Sequence, residues 1–258
     1  KSLTEDFSVR YGLEAKDAGF GKGTKMEPFV KHGYLKWKDA LGSTDLYLGL
    51  SGTPTWVIAE KVWGYRSIAK TVLDWNTIGS SADLGAAFKG KSGKIGYHVM
   101  VGNGPGQGPE DDHGKKLYGS FSFKALERLV LEAYGDFNMK PADQNELTLK
   151  GFVGWQGEGL NAGVEVFSRT NKAAAAFAGV TISGVSAFAS LLLSDSLKGF
   201  GRVDAVSNDA ADTTDLLFIA GVDHMPAKGM HLMPNLVVAL PDGIDPNIQG
   251  RLTFYYKF

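Results

Sequence analysis

Short segments in which apolar and polar side chains alternate recur along almost the whole of this 258-residue sequence. Two examples, one near each end of the chain, are the apolar positions Phe7, Val9, Tyr11 and Leu13 and the apolar positions Leu252, Phe254, Tyr256 and Phe258. Because successive side chains of a β-strand point to opposite faces, this period predicts strands with one apolar and one polar face. The sequence therefore predicts an all-β fold.

About fourteen such strands are predicted, each close to the roughly ten residues that a tilted strand needs to cross a bilayer. Their approximate ranges are residues 6–15, 27–37, 45–53, 79–89, 94–103, 116–124, 129–138, 145–156, 160–170, 181–194, 198–207, 215–225, 230–240 and 247–258. An even number of antiparallel strands brings both ends of the chain to the same side of the membrane.

The connections between these strands alternate in length. Short turns are predicted at residues 38–44, 90–93 and 195–197, and long polar loops at residues 16–25, 105–116 and 208–214. Aromatic side chains gather near strand ends, namely Tyr34, Trp37, Trp155, Phe254, Tyr255, Tyr256 and Phe258. Both patterns are typical of a closed antiparallel transmembrane β-barrel, in which closure leaves no unpaired backbone in the hydrocarbon. The alternative is a soluble β-sandwich that packs its apolar face on a second sheet.

One uncharged stretch at residues 173–194 is long enough to cross a bilayer as a helix. Its interior contains two glycines and several hydroxyl side chains, and apolar residues alternate with serines in part from Val185 onward. This alternation favours a strand over residues 181–194, with a helix as the alternative.

Composition limits the classes of function. The chain has 28 acidic and 27 basic residues, and this balance argues against a nucleic-acid partner. The absence of cysteine excludes disulfide scaffolds and thiolate metal sites. The first residues contain no apolar run of the kind found in a signal peptide, so we expect either a cytoplasmic chain or one whose signal was removed.

Several segments resemble known outer-membrane proteins. The end of the chain, Arg251-Leu252-Thr253-Phe254-Tyr255-Tyr256-Lys257-Phe258, resembles the last strand of bacterial outer-membrane proteins, which ends in Phe. Three internal stretches resemble porins related to the phosphate-selective group, namely residues 52–66, 80–85 and 97–104. The resemblance implies a single domain over residues 1–258 that forms a channel for small hydrophilic solutes or ions, with anions such as phosphate as candidates. Relatives of this kind often have sixteen strands, so either this barrel is smaller or upstream strands are absent from the sequence.

The connection at residues 54–78 is rich in large side chains, including Trp56, Trp63 and Trp75. By resemblance to general porins, we expect it to fold into the barrel and narrow the lumen. Ile58, Val62, Tyr65 and Ala69 recur at helical spacing, which predicts a short helix over residues 59–73. Rings of charge select ions in narrow pores, so the predicted constriction residues are Glu60, Lys61, Arg66 and Lys70. The alternative is that this connection packs between the subunits of an oligomer.

Further lining residues follow from strand parity, which places both signs of charge on the polar face. The predicted pore-lining residues are Arg10, Lys36, Asp83, Arg202, Asp204 and Arg251. No catalytic residue, metal ligand or cofactor is predicted: the Asp111-Asp112-His113 run is typical of a solvated loop, and His98 with Ser120 lacks a motif that would place them together.

The predicted partners are outer-membrane lipid and lipopolysaccharide, small hydrophilic solutes and, by resemblance, two further copies in a homotrimer. The expected location is the bacterial outer membrane. The alternatives from other classes are an outer-membrane barrel enzyme and a soluble ligand-binding β-sandwich.

Overall fold

The computed structural model describes residues 1–16, 26–110, 112–171 and 179–257. Of the predicted features, nearly all of the loop at residues 16–25, Asp111, the beginning of the apolar stretch at residues 173–178 and the terminal Phe258 lie outside these ranges.

Fourteen strands form the described part of the chain. They are β1 (Phe7–Lys16), β2 (Glu27–Leu41), β3 (Thr44–Gly52), β4 (Ala82–Ser92), β5 (Ile95–Gly102), β6 (Lys116–Lys124), β7 (Leu129–Asn138), β8 (Glu146–Gln156), β9 (Leu160–Asn171), β10 (Val180–Ser194), β11 (Leu197–Asn208), β12 (Thr213–Ala227), β13 (Met230–Leu240) and β14 (Asn247–Tyr256). Two short helices, α1 (Val57–Trp63) and α2 (Val72–Trp75), lie between β3 and β4, and a 3₁₀ turn covers Pro141–Asp143.

All fourteen strands belong to one antiparallel sheet in which each strand pairs with its neighbours in the sequence. The predicted strand number and direction are therefore confirmed, and a single continuous sheet is not the two-sheet core of a sandwich. In the described residues, β1 and β14 are the two edges of the sheet. The first residues fold back along the free edge of β1, where the amino group of Lys1 donates to the carbonyl of Val9 at 2.8 Å.

The two faces of the sheet have the opposite character from those of a soluble protein. Large apolar side chains are exposed on the outer face, for example Phe121 at 54% and Val166 at 50%. Charged side chains are buried on the inner face, for example Glu132 at 5% and Lys150 at 4% exposed. Charged residues are seldom fully buried unless they are paired, so the inner face of the sheet is polar at these positions, unlike the core face of a soluble protein.

The connections differ in length between the two ends of the sheet. Two residues each join β2 to β3, β4 to β5 and β10 to β11, whereas residues 53–81, 103–115 and 139–145 form longer connections at the other end. The predicted long loop at residues 208–214 is wrong, because only residues 209–212 join β11 to β12. Its polar residues extend the ladder instead, and the hydroxyls of Ser207 and Thr214 lie 2.9 Å apart.

The helical predictions need one correction. The predicted helix over residues 59–73 is two short helices, because Gly64 adopts a left-handed conformation with φ 73° and ends α1. The strand prediction for the later part of the apolar stretch is confirmed by β10. None of the helices in the described ranges is long and apolar enough to cross a membrane.

Candidate functional site

The connection between β3 and β4, residues 53–81, lies inside the sheet and is called here the inner segment. Its helix α1 contacts β8, β9 and β10, and α2 contacts β10. The inner segment therefore starts and ends at β3 and β4 and reaches the inner face of strands far away in the sheet.

An apolar cluster attaches the inner segment to this wall. Trp63 is 1% exposed, and its ring lies 5.3 Å from that of Phe188. Tyr65 stacks on Phe200 with ring centroids 4.4 Å apart. The wall side of the cluster consists of Phe152, Phe188, Phe200, Leu217, Ile219, Met233 and Val237. Large aromatic side chains bury much apolar surface, so this half of the interior resembles the core of a soluble protein.

Two cations of the wall add polar attachments. Lys150 Nζ donates to the carbonyl of Thr55 at 2.7 Å and to the carboxylate of Glu132 at 2.9 Å. Arg202 donates to the carbonyl of Lys70, and its Nε donates to Asp204 at 2.8 Å. Each cation thus neutralises a buried carboxylate and satisfies a backbone carbonyl of the inner segment, as burial of charge requires.

Four charged side chains of the inner segment bind one another. Arg66 pairs with Glu60 and, at 2.8 Å, with Asp74, and Lys70 pairs with Asp74 at 2.9 Å. Burial lowers the pKa of the Arg66 guanidinium, but the hydrogen bond to Asp74 and the Glu60 charge raise it, and the net direction is upward. Burial also raises the pKa of the Tyr65 phenol, with a further contribution from the Asp223 carboxylate.

A cavity of about 310 Å³ lies on the opposite side of the inner segment. It is lined by Arg10, His32, Tyr34, Tyr47, Ser51, Gly52, Thr53, Val57, Lys89 and His98. Lys61 is exposed and lies one helical turn after Val57, a residue that lines this cavity. In the described part of β1–β5, the inner-face Asp45 and the nearby Glu14 are paired with Lys36 at 2.6 Å and Lys31 at 2.9 Å. Among the described residues that line this cavity, Arg10 and Lys89 are cationic and none is Asp or Glu, so the open side of the interior is basic at the cavity.

The structure places the predicted residues in different surroundings. Glu60, Arg66 and Lys70 form the network of the inner segment, and Lys61 lies apart from it. The inner-face residues Arg10, Lys36 and Arg251 are partly or fully exposed. The other three predicted lining residues are buried on the inner face, namely Asp83, Arg202 and Asp204. Asp83 accepts hydrogen bonds from Tyr118 and from the backbone of Gly104.

Sequence reasoning missed the apolar wall under the inner segment. Phe152 and Phe188 occupy positions whose strand parity assigns them to the polar face, beside Lys150 and Ser186. A bulky apolar residue on a polar face is a signal that something packs there. It also missed the two histidines of the open side, His32 and His98.

The pair weighed as catalytic, His98 and Ser120, is not joined by a hydrogen bond in the described residues. Ser120 is the register partner of His98, but its hydroxyl donates to Glu132 at 2.6 Å. No group of three or more His, Cys, Asp or Glu side chains is arranged to hold a metal ion in these ranges.

No protein-family model and no curated relative matches the sequence. Solved structures do match. OmpT, an outer membrane protein of Vibrio cholerae, has a TM-score of 0.72 at 12% identity, over 99% of this chain and 86% of that one. The trimer form of OmpT has a TM-score of 0.68 at 13% identity, over 98% and 86%.

Two further matches carry a description of their role. The anion-selective porin from Comamonas acidovorans has a TM-score of 0.65 at 12% identity, over 99% of this chain and 84% of that one. The outer membrane channel DcaP of Acinetobacter baumannii has a TM-score of 0.71 at 10% identity, over 99% and 82%. The chain has the fold of bacterial outer-membrane porins. This fold supports the outer-membrane localisation expected from the sequence.

Proposed function

We propose that this protein is an outer-membrane porin, a single β-barrel domain over residues 1–258 that passes small hydrophilic solutes by diffusion. The observation that carries the proposal is the inverted sheet, with exposed Phe121 and Val166 outside and buried Glu132 and Lys150 inside. In a transmembrane barrel the apolar outer face contacts lipid and the polar inner face contacts water. The porin and channel descriptions of the structural neighbours support the same role.

Closure of the sheet is part of this proposal. Each unpaired backbone group in hydrocarbon costs several kcal/mol, so a spanning sheet has to close. The edges β1 and β14 meet directly in a barrel of fourteen strands, or they meet through two further strands that precede β1 in a barrel of sixteen.

The path of solutes follows from the position of the inner segment. The segment fills the half of the interior next to β8–β13, so the path runs between α1 and the wall formed by β1–β5. Arg10, Lys61 and Lys89 face this path and give it a positive field, which favours anions. The proposed anions include phosphate, and the proposal includes a relationship to the phosphate-selective porins.

The predicted site residues receive distinct roles in this scheme. Lys61 sets charge preference directly, whereas Glu60, Arg66 and Lys70 keep the shape of the inner segment through Asp74. A second group lines the lumen or supports its wall, namely Arg10, Lys36, Asp83, Arg202, Asp204 and Arg251. The role is that of a channel, with neither a catalytic residue nor a cofactor.

The proposal also covers the lipid that the protein contacts and the copies with which it assembles. The outer face contacts lipid and lipopolysaccharide, and three copies assemble into a trimer, as the trimer form of OmpT suggests. Nucleic acid has no part in this function.

The test is the current through purified protein in a planar bilayer. We expect stepwise conductance, and a reversal potential in a salt gradient that indicates anion preference. Lys61→Glu moves this potential toward cations, whereas Lys94→Glu, in the short turn at the far end of the sheet, moves it much less. Protein that migrates in a gel as a folded, heat-modifiable barrel but gives no conductance refutes the channel.

A further inference from the structure

A second cavity, of about 530 Å³, opens at the end of the sheet where the long connections lie. It is lined by Thr77, Gly79, Ser80, Asn103, Gly104, Pro105, Asp112, Lys116, Asn138, Lys140, Glu146, Thr148 and Arg169. Thr77, Gly79 and Ser80 belong to the inner segment, so the inner segment forms one wall of this cavity. A solute entering from this end meets the cavity before the path beside α1.

One carboxylate in the cavity is shared by two cations. Glu146 Oε1 accepts from Lys140 at 2.7 Å and from Arg169 at 2.6 Å. The side chains of Lys140 and Arg169 are 38% and 23% exposed, whereas that of Glu146 is 11% exposed. Lysine has three donors and arginine five, so both cations keep donors for a second anion. Lys116 is already paired with Asp136 at 3.0 Å.

Apart from Asp112 and Lys116, the rest of the lining is neutral and rich in hydrogen-bonding groups. Among the described residues, it contains two asparagines, two threonines and a serine, and no aromatic side chain. Asp112 adds a carboxylate, which accepts from the backbone of Gly114 at 2.6 Å. Carboxylate and amide oxygens accept hydrogen bonds from hydroxyl groups, whereas Asp112 disfavours an anion of charge −2.

We propose that this cavity binds small monocarboxylates that carry several hydroxyl groups, such as sugar acids. The carboxylate of the solute binds the remaining donors of Lys140 and Arg169, and its hydroxyls bind Asn103, Asn138 and Asp112. This inference rests on the proposed channel, because binding at the entrance concentrates the solute next to the path.

The experiment uses gluconate as the probe, with glucose and acetate as references that carry only the hydroxyls or only the carboxylate. Gluconate added on the long-loop side of a reconstituted channel should interrupt the current at millimolar concentration, and neither reference should do so at the same concentration. Arg169→Gln should weaken the interruption about tenfold, the effect of losing one charge-assisted contact. Glu146→Gln should strengthen it, because it frees both cations. Lys94→Gln, at the far end, should have no effect.

Calorimetric titration of the folded protein in detergent with gluconate separates this inference from the channel. Binding that responds to Arg169→Gln and Glu146→Gln in opposite directions supports the site even if no current is seen. Conductance without gluconate binding in either assay refutes the site and leaves the channel intact. Equal effects of gluconate and acetate, or equal effects of gluconate and glucose, also refute the proposed ligand class.

Discussion

Replacement of Trp63 by alanine tests whether the inner segment is held to the wall by its apolar cluster. The indole of Trp63 is 1% exposed, lies 5.3 Å from Phe188 and donates from Nε1 to the carbonyl of Ala69 at 2.9 Å. Removing a buried tryptophan costs about 3–5 kcal/mol. Each 1.4 kcal/mol is a factor of about ten in an equilibrium constant. The population of the released segment relative to the docked segment should therefore rise roughly a hundredfold to several thousandfold.

The release has a direct electrical consequence. The fourteen strands keep their ladder, so Trp63→Ala should still fold and migrate as a heat-modifiable barrel. Its single-channel conductance should rise, and the current should fluctuate as the segment leaves the wall and returns. Limited proteolysis should cut within residues 53–81 of the variant and leave the parent chain intact.

The control is Trp37→Ala, which removes a tryptophan that is 41% exposed and whose ring lies 5.3 Å from that of Phe7. It should leave both conductance and proteolysis unchanged. If Trp63→Ala gives the parent conductance and the parent resistance to proteolysis, the apolar cluster does not hold the segment in place.

Three further predictions concern the wall, the segment and the outer face. Lys150→Met leaves the buried Glu132 without its cation and should lower the free energy of unfolding by about 3–5 kcal/mol in guanidinium titrations, whereas Lys89→Met should change it little. The raised pKa of Tyr65 means that its neutral form stabilises the folded state below about pH 10 and that this contribution is lost as pH rises further. Tyr65→Phe should therefore reduce the loss of thermal stability between pH 9 and 12, as measured by circular dichroism. Val166→Arg, near the middle of β9, should destabilise the barrel in lipid by about 2–4 kcal/mol, and Thr170→Arg, near the strand end, by about 1 kcal/mol or less; equal effects at both positions would contradict a lipid-facing surface.

The strands could be predicted because their period depends on local sequence alone. The bounds of β6, β7 and β13 agree with the predicted ranges, and apolar and polar residues alternate through most of β6 and β7. Within the predicted helix over residues 59–73, residues 64–71 are not helical, because the left-handed conformation of Gly64 ends α1. Polar residues at 208–214 suggested a loop, but hydroxyl side chains are also common on the polar face of a strand.

Strand parity could not separate exposed lining residues from covered ones. Strand parity places both Arg10 and Arg202 on the polar face of the sheet. Nevertheless, Arg10 is exposed and Arg202 is buried against the inner segment. The difference depends on where the connection between β3 and β4 docks on β8–β13. Apolar residues on a polar face, such as Phe152 and Phe188, are the local sign of that docking.

The inner segment also explains why a chain with nearly equal numbers of acidic and basic residues can have a basic path. Glu132, Glu165 and Asp204, on β7, β9 and β11, are carboxylates of the wall that are at most 5% exposed. Two of them are bound to Lys150 and Arg202, the same cations that hold the backbone of the segment. On the proposed path, their negative charge is separated from the solute by the segment, whereas Arg10, Lys61 and Lys89 are not covered. Release of the segment in Trp63→Ala should therefore move the reversal potential toward cations as the conductance rises, and a larger conductance with unchanged anion preference would show that the segment narrows the path without setting its charge.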